Sequence, residues 1–147
     1  DGIESVNAGF INLARVQLGK AETLKIQLSE GLVNVDDVQE ATVTFDTSGY
    51  GEPRAITVSD IRVVNAPSGV DVKVITESIN NVTLVGEAEE LAAILPSDVI
   101  AQVDASAQNI TVKGSGQQQF SAQIIVTGTK TVFATGAYSV LCDITVK

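Results

Sequence analysis

Apolar and polar residues alternate along most of this 147-residue chain. The clearest case is the last segment, where one face carries Tyr138, Val140, Cys142, Ile144 and Val146. A period of two places successive side chains on opposite faces of a β-strand. The same alternation predicts strands over Thr23–Leu28, Ala41–Phe45, Ile56–Val64 with a bend at Ser59–Asp60, Val70–Val74 and Val99–Val103.

Weaker patterns and turn residues complete the predicted strands and loops. Strands are also expected at Phe10–Leu18, Val82–Gly86, Ile110–Lys113, Phe120–Val126 and Thr131–Phe133. Glycine, proline and short polar side chains favour turns because they supply unusual φ values or bond to the local backbone. Loops or turns are therefore predicted at Val33–Glu40, Asp46–Pro53, Asn65–Gly69 and Gly114–Gln119.

One stretch, Asn81–Ser106, contains a different period. Ala88, Leu91 and Leu95 are spaced i, i+3, i+7, which is typical of one helix face. The acids Glu87, Glu89 and Glu90 stand where a helix N-terminus favours negative charge, and Pro96 ends the pattern. We predict a helix of about two turns here.

The predicted fold is all-β or β-rich, with about ten short strands and one short helix near residues 87–95. Two divisions of the chain are open: a β segment at 1–53 followed by a β module at 54–147, or one β-sandwich domain over 1–147. VTFDTSG at 43–49 is similar to AQVDASA at 101–107, so two repeated β modules form a further interpretation.

Charge and hydropathy exclude several classes of partner. The formal net charge is −9, and the nine Lys and Arg residues are scattered, which argues against nucleic acid and against anionic lipid. The longest apolar run, Leu91–Leu95, is far shorter than the ~18–20 residues that span a bilayer. No membrane insertion is expected within this segment.

Candidate catalytic and metal-binding groups each have a simpler structural interpretation. Histidine is absent, which removes Ser-His and Cys-His catalysis. Cys142 lies mid-strand on the apolar face and is expected to be an inert core residue. The acids Asp36, Asp37 and Glu40 lack the spacing of a calcium loop and are expected to be solvated.

The remaining candidate residues also have a structural interpretation. Glu87, Glu89 and Glu90 could pose as paired carboxylates, but a helix start explains them. Asp46 and Asp104 each precede a Ser by two residues, as in an Asx turn. The Asn81 and Asn109 triplets fit a glycosylation pattern that arises often by chance. We predict no catalytic, cofactor-binding or metal site, and no enzyme.

The run NVTLVGEAEELAAILPSDVIAQVDAS, residues 81–106, resembles the middle of a YbbR-like domain. The matching features are a strand ending at Gly86, a short helix, and Ile100–Ser106 as a strand closing with Asp-x-Ser. Ile61–Leu84 is similar to the opening of that repeat. The polar stretch Gln108–Gln119 and Ala105 depart from its pattern.

The resemblance implies a β-rich module that occurs in tandem on bacterial proteins, outside the membrane and anchored through a segment not present here. Its best-known relatives regulate a membrane-bound diadenylate cyclase, and no catalytic residues come with the family. We therefore expect a non-enzymatic, extracytoplasmic interaction or regulatory module. The alternatives are an immunoglobulin-like stalk or adhesin module and, more distantly, a carbohydrate-binding domain.

Overall fold

The structure is a computed structural model, which describes residues 6–111 and 114–147. Its described part contains one α-helix, α1 at Ala88–Ala93, and short 3₁₀ helices at Leu13–Arg15, Pro96–Asp98 and Ala105–Ala107. The strands are β1 (Ala21–Lys25), β2 (Glu40–Thr44), β3 (Arg54–Val58), β4 (Asp60–Val64), β5 (Val70–Val74), β6 (Ile79–Val85), β7 (Val99–Asp104), β8 (Ser115–Val126), β9 (Phe133–Thr135) and β10 (Tyr138–Val146). The predicted β-rich class with one short helix is confirmed.

The chain divides into two compact units. The first unit comprises the residues before Leu13 together with Val16–Ser48, and the second comprises Leu13–Arg15 with Gly49–Lys147. The repeat relationship between the two parts of the chain stays a prediction.

The first unit contains a two-stranded antiparallel sheet. Strands β1 and β2 pair with Ala21 opposite Thr44 and Lys25 opposite Glu40. Exposed and half-buried side chains alternate along both strands, and no side chain of either strand is fully buried. A two-stranded hairpin on its own is at best marginally stable in water.

The second unit contains two sheets. Five strands run in the order β4-β7-β8-β10-β5, with β4 parallel to β7 and the other neighbours antiparallel. Three antiparallel strands run in the order β3-β6-β9. The chain passes from the smaller sheet to the larger one at Ser59, between β3 and β4, so the bend predicted inside Ile56–Val64 is confirmed.

Both sheets and α1 contribute to a single hydrophobic cluster. Its members are Ile56, Val58, Ile79, Val82, Leu84, Leu91, Ile94, Val99, Ala101, Val103, Ala105, Phe120, Val132, Val140, Cys142 and Ile144. Although β4 and β5 are the two edge strands of the larger sheet, some of their Cα atoms lie within 8 Å of each other. The larger sheet is therefore curled toward closure, with the turn Asn65–Gly69 joining its two edges.

Two of the longer predicted segments are wrong. Phe10–Leu18, predicted as a strand, forms only a 3₁₀ turn at Leu13–Arg15. Gly114–Gln119, predicted as a polar loop, supplies the first half of β8, whose backbone pairs with β10 from Ser115 opposite Thr145 onward. This strand could not be predicted from its polar composition, because the backbone hydrogen bonds that pair it with β10 do not require apolar side chains.

The neighbouring short elements also shift. Ile110 and Thr111 are not in a strand, and the rest of the predicted Ile110–Lys113 strand lies outside the described residues. The Gln118 side chain holds this segment by accepting from the Thr111 N–H at 3.0 Å and donating to the Asn109 carbonyl at 2.6 Å. The strand expected at Thr131–Phe133 begins two residues later, as β9.

The predicted helix near residues 87–95 is present but shorter. Its last helical residue is Ala93, and both Ile94 and Leu95 adopt extended backbone conformations. Pro96 explains the extended conformation of Leu95, because its ring disfavours helical geometry in the residue that precedes it. The extended conformation of Ile94 has no such local cause.

Of the predicted stripe Ala88, Leu91 and Leu95, only Leu91 is buried, and the second buried residue of the segment is Ile94. The prediction that Ala88 and Leu95 face the core is wrong, because the chain leaves helical geometry at Ile94 and turns Leu95 toward solvent.

Candidate functional site

The segment from β6 through α1 to β7 is the candidate site, and the loop before β3 lies against it. The Gly51 N–H donates to the Gly86 carbonyl at 3.0 Å, and the Ala88 N–H donates to the Gly49 carbonyl at 2.9 Å. Tyr50 and Glu87 form a bridge between these two bonds. The start of α1 is therefore held by a short antiparallel pairing with Gly49–Gly51.

Glycines permit the close approaches at this point. A Cβ atom on Gly86 would lie 2.8 Å from the Cα of Val132 and 2.9 Å from the Thr131 carbonyl oxygen. A Cβ atom on Gly51 would lie 3.1 Å from the Cα of Ala88. Because these are mostly backbone atoms, a larger residue at either position would push neighbouring segments apart.

Glu90, in the first turn of α1, anchors the helix to the loop between β8 and β9. One of its carboxylate oxygens accepts from the Thr131 hydroxyl at 2.9 Å, from the N–H groups of Lys130 and Thr131 at 3.1 Å each, and from the Thr129 hydroxyl. These bonds, the Thr129 hydroxyl first, lower the pKa of Glu90 to about 2. The carboxylate is thus an ionised structural acceptor.

Arg54, at the start of β3, binds the other end of the helix. Its Nη1 donates to the carbonyl oxygens of Leu91 at 3.2 Å and Ile94 at 2.9 Å. The last carbonyls of a helix have no partner within the helix, and a cation there also offsets their partial negative charge. Arg54 and Glu90 together fix a helix that is too short to be stable alone.

A shallow groove of about 510 Å³ lies between α1 and the loop that leads into β3. It is lined by Gly51, Glu52, Pro53, Arg54, Ala55, Ala88, Leu91 and Ala92. Arg54 is already engaged with the helix carbonyls. A molecule bound in the groove would therefore make mainly apolar contacts, next to the carboxylate of Glu52.

The two Asp-x-Ser sequences form Asx turns, as their spacing suggests. Asp46 Oδ1 accepts from the Ser48 N–H at 2.9 Å, and Asp104 Oδ1 accepts from the Ser106 N–H at 3.0 Å and from the Ser106 hydroxyl at 2.7 Å. Hydrogen bonds from each serine, led by its hydroxyl, hold the pKa of both carboxyl groups below the usual range. Both aspartates stabilise local turns.

Cys142 lies on the inner face of β10 and is fully buried between Val140 and Ile144 in sequence. Burial raises the pKa of its thiol because the thiolate would lose its hydration. This position matches the core placement that its alternation predicts.

The other acidic side chains considered as metal ligands or catalytic carboxylates are exposed. Glu87 and Glu89 are exposed at the start of α1, while Asp36, Asp37 and Glu40 are exposed at the end of the β1–β2 loop and the start of β2. Asp37 accepts from the Gln39 side-chain amide at 3.1 Å. Across residues 6–111 and 114–147, no three His, Cys, Asp or Glu side chains form a group that could hold a metal ion.

Both asparagines of the glycosylation-type triplets are exposed. Asn81 has a φ of 57° and lies in a β-bulge, since Ile56 pairs with Val82 but Val58 pairs with Ile79. Two residues of β6 thus oppose Thr57, which bonds to the Asn80 side chain at 3.1 Å. Asn81 has a structural reason to be asparagine, because that residue tolerates left-handed geometry.

Sequence reasoning missed Arg54, the Thr129–Thr131 loop that donates hydrogen bonds to Glu90, and the role of Tyr138. The Tyr138 hydroxyl donates to the Thr135 carbonyl at 2.6 Å and accepts from the Thr83 N–H at 2.9 Å, joining β6 to β10. Thr129 and Thr131 directly after Gly128 formed a visible signal, namely a turn rich in donors. The acceptor, Glu90, lies about 40 residues earlier in the chain, so the sequence did not connect it with these donors.

Comparison with protein families, with curated proteins and with solved structures found no match for this chain. In the part of the chain that the structure describes, no helix has the length and apolar character needed to cross a membrane.

Proposed function

We propose that this chain is a non-enzymatic interaction or regulatory module of the YbbR-like type, which acts by binding a protein partner. The observation that carries the proposal is that several charged side chains form hydrogen bonds within the chain itself. Glu90, Arg54, Asp46 and Asp104 all bind the chain's own backbone. Side chains engaged in this way stabilise a surface for contact with a partner, and are poorly placed to do chemistry on a substrate.

The order of the elements also supports this proposal. The resemblance places a strand ending in glycine before a short helix, and a second strand ending in Asp-x-Ser after it. Here β6 ends at Val85 beside Gly86, α1 follows, and β7 ends at Asp104 with its Asx turn to Ser106. The family pattern and the local geometry thus describe the same series of elements.

The partner and the compartment follow from the resemblance alone. We place the module outside the cytoplasm, beside a membrane to which another segment anchors it, and we propose a membrane-bound diadenylate cyclase as the kind of partner it regulates. The net charge of −9 fits a protein partner better than nucleic acid or anionic lipid.

The second candidate is a stalk or adhesin module of immunoglobulin-like architecture. One observation favours it: Tyr138 at the start of β10 bonds to the backbone three residues upstream, as the tyrosine corner of such sandwiches does. The parallel pair β4–β7 argues against it, because the two sheets of an immunoglobulin sandwich are antiparallel. The regulatory module therefore remains the better-supported proposal.

The test uses the purified chain and detergent-solubilised membranes of the organism that encodes it. Chemical cross-linking should recover one membrane protein in a fixed ratio to the chain, and adding the chain should change the rate of diadenylate formation by those membranes. The thermally unfolded chain is the control. Recovery of the same proteins by folded and unfolded chain, with no change in the cyclase rate, would refute the proposal.

A further inference from the structure

The loop between β1 and β2 exposes a run of apolar side chains. Val33 and Val35 are 83% and 88% exposed, Val38 is 53% exposed, and Leu28 and Leu32 are 37% exposed each. We call residues Leu28–Val38 the apolar loop. Single exposed apolar residues are ordinary, whereas a contiguous group on one loop marks an interaction surface.

Hydrogen bonds give the apolar loop a defined shape. The Asn34 side chain donates to the Val38 carbonyl at 2.9 Å and accepts from the Val38 N–H at 3.2 Å, which closes a ring around Val35. At the other end, the Leu32 N–H donates to the Ser29 carbonyl at 3.2 Å. A loop that is already shaped loses less conformational entropy when it binds, so its apolar contacts yield more affinity.

The charges around the apolar loop specify its partner. Glu30, Asp36, Asp37 and Glu40 lie within or next to it, and the sequence has no Lys or Arg between Lys25 and Arg54. A basic surface complements these carboxylates, whereas anionic lipid would be repelled. A second copy of the chain, with a net charge of −9, is disfavoured for the same reason.

We propose that the apolar loop docks into an apolar recess rimmed by Lys and Arg side chains on a partner protein. Val33 and Val35 insert into the recess, while Asp36 and Asp37 face its basic rim. This inference rests on the proposed function as a protein-binding module, and it adds which residues bind and what chemistry they recognise.

The experiment titrates the isotope-labelled full chain with two synthetic peptides and follows the backbone amide NMR signals. One peptide is an amphipathic Leu/Lys helix, and the other is its Leu/Glu counterpart with the same apolar face. The Leu/Lys peptide should bind and shift the signals of Leu28–Glu40, and the Leu/Glu peptide should bind at least about tenfold more weakly, since like charges oppose it.

Variants separate the apolar contribution from the charge contribution. Val33→Ser with Val35→Ser should weaken binding of the Leu/Lys peptide roughly tenfold or more, the loss expected when apolar side chains no longer leave water. Asp36→Asn with Asp37→Asn should weaken it and reduce its salt dependence, and asparagine tolerates the φ of 53° at position 37. Ile75→Ser, at an exposed apolar position of the second unit outside the candidate site, is the control and should leave binding unchanged.

Several results would overturn the inference. Changes in the amide NMR signals that are confined to Gly49–Lys147 would show that the peptide binds elsewhere. The apolar loop would then be rejected as the docking surface, although a protein-binding function would still be supported. Equal binding of both peptides, no binding of the Leu/Lys peptide, or an unchanged affinity in the valine double variant would each reject the docking surface. Binding to phosphatidylglycerol vesicles, or dimerisation in the ultracentrifuge, that the valine double variant abolishes would assign the loop to a membrane or to a second copy instead.

Discussion

Both units of this chain contain strands in which apolar and polar residues alternate, but the apolar side chains are fully buried only in the second unit's strands. Strand β1 alternates as regularly as β10, but β1 pairs only with β2 and buries none of its side chains fully. Strand β10 lies between β5 and β8, and its inner residues Val140, Cys142 and Ile144 are fully buried. Burial in β10 comes from a second layer, which the smaller sheet and α1 supply.

This difference shows what alternation can and cannot predict. A period of two determines which side chains share a face of a strand. Whether another element covers that face depends on contacts between residues that are distant in sequence. The stability of the second unit therefore resides in its core, whereas the first unit leaves the apolar side chains of its β1–β2 loop exposed to solvent.

The largest expected effect comes from truncating the core of the second unit. Phe120 is 1% exposed and is the largest of the fully buried side chains. Phe120→Ala should lower the free energy of unfolding by about 3–5 kcal/mol, because the change removes buried apolar area and leaves a cavity. Urea unfolding followed by far-ultraviolet circular dichroism measures this loss.

Leu24→Ala in β1 is the matched change in the first unit, where the side chain is only half-buried. It should lower the free energy of unfolding of the second unit by less than about 0.5 kcal/mol. A loss comparable to that of Phe120→Ala would mean that the two units unfold as one cooperative body, and would remove the contrast between them.

The next effect comes from crowding the junction between β6 and α1. Gly86→Ala would place a Cβ atom 2.8 Å from the Cα of Val132, so we expect it to destabilise the second unit by about 1–3 kcal/mol. Gly51→Ala, with a closest approach of 3.1 Å, should be milder. Thermal unfolding should give Gly86→Ala the lower melting temperature of the two variants. Melting temperatures equal to that of the unsubstituted chain would show that the junction accommodates the added Cβ atoms.

Glu90 makes the stability of the second unit sensitive to acid. Its pKa is lowered from 4.5 to about 2 in the folded chain, so its contribution is fully present above about pH 4.5 and is lost as the pH falls toward 2. Glu90→Gln should remove that part of the acid dependence and speed hydrogen exchange at Lys130 and Thr131. Glu89→Gln, on the exposed side of the same turn, should leave hydrogen exchange at Lys130 and Thr131 unchanged.

The pH titration of the Glu90 carboxyl group gives a direct check on this interpretation. Carbon-detected NMR should place its midpoint well below that of an exposed glutamate. A midpoint near 4.5 would mean that the hydrogen bonds from Thr129, Lys130 and Thr131 do not hold the loop to the helix.

The smallest effect on stability is expected at the apolar loop. Val33→Ser with Val35→Ser should change the free energy of unfolding by no more than about 0.5 kcal/mol, because both side chains are already in water. Urea unfolding of this double variant is the measurement. A large loss would show that the loop is a covered structural element and would contradict its assignment as a docking surface.

Local pattern was enough to predict much of the second unit. Strands β5, β7 and β10 lie where alternation places them, and the helix lies before Pro96 as predicted. The turn at Asn65–Gly69 was also predictable, because Pro67 and Gly69 have strong conformational preferences of their own. Gly69 adopts a φ of 79° there.

The rest depended on contacts that the local sequence does not encode. Ser115–Gln119 becomes a strand because β10 offers it a ladder, although its side chains have the composition of a loop. Phe10–Leu18 has a plausible pattern but no strand to pair with. In the candidate site, the acids Glu87, Glu89 and Glu90 could be placed at the helix start, but the choice of Glu90 as the anchor required the positions of Thr129 and Thr131 in space.

The most direct test of the contrast between the units is native-state hydrogen exchange on the intact chain. The amides of β6, β7, β8 and β10 should exchange only through global unfolding of the second unit, and those of β1 and β2 should exchange at least about a hundredfold faster, because a hairpin without a core opens locally. The result that would contradict the account is uniform protection, with β1 and β2 exchanging as slowly as β10.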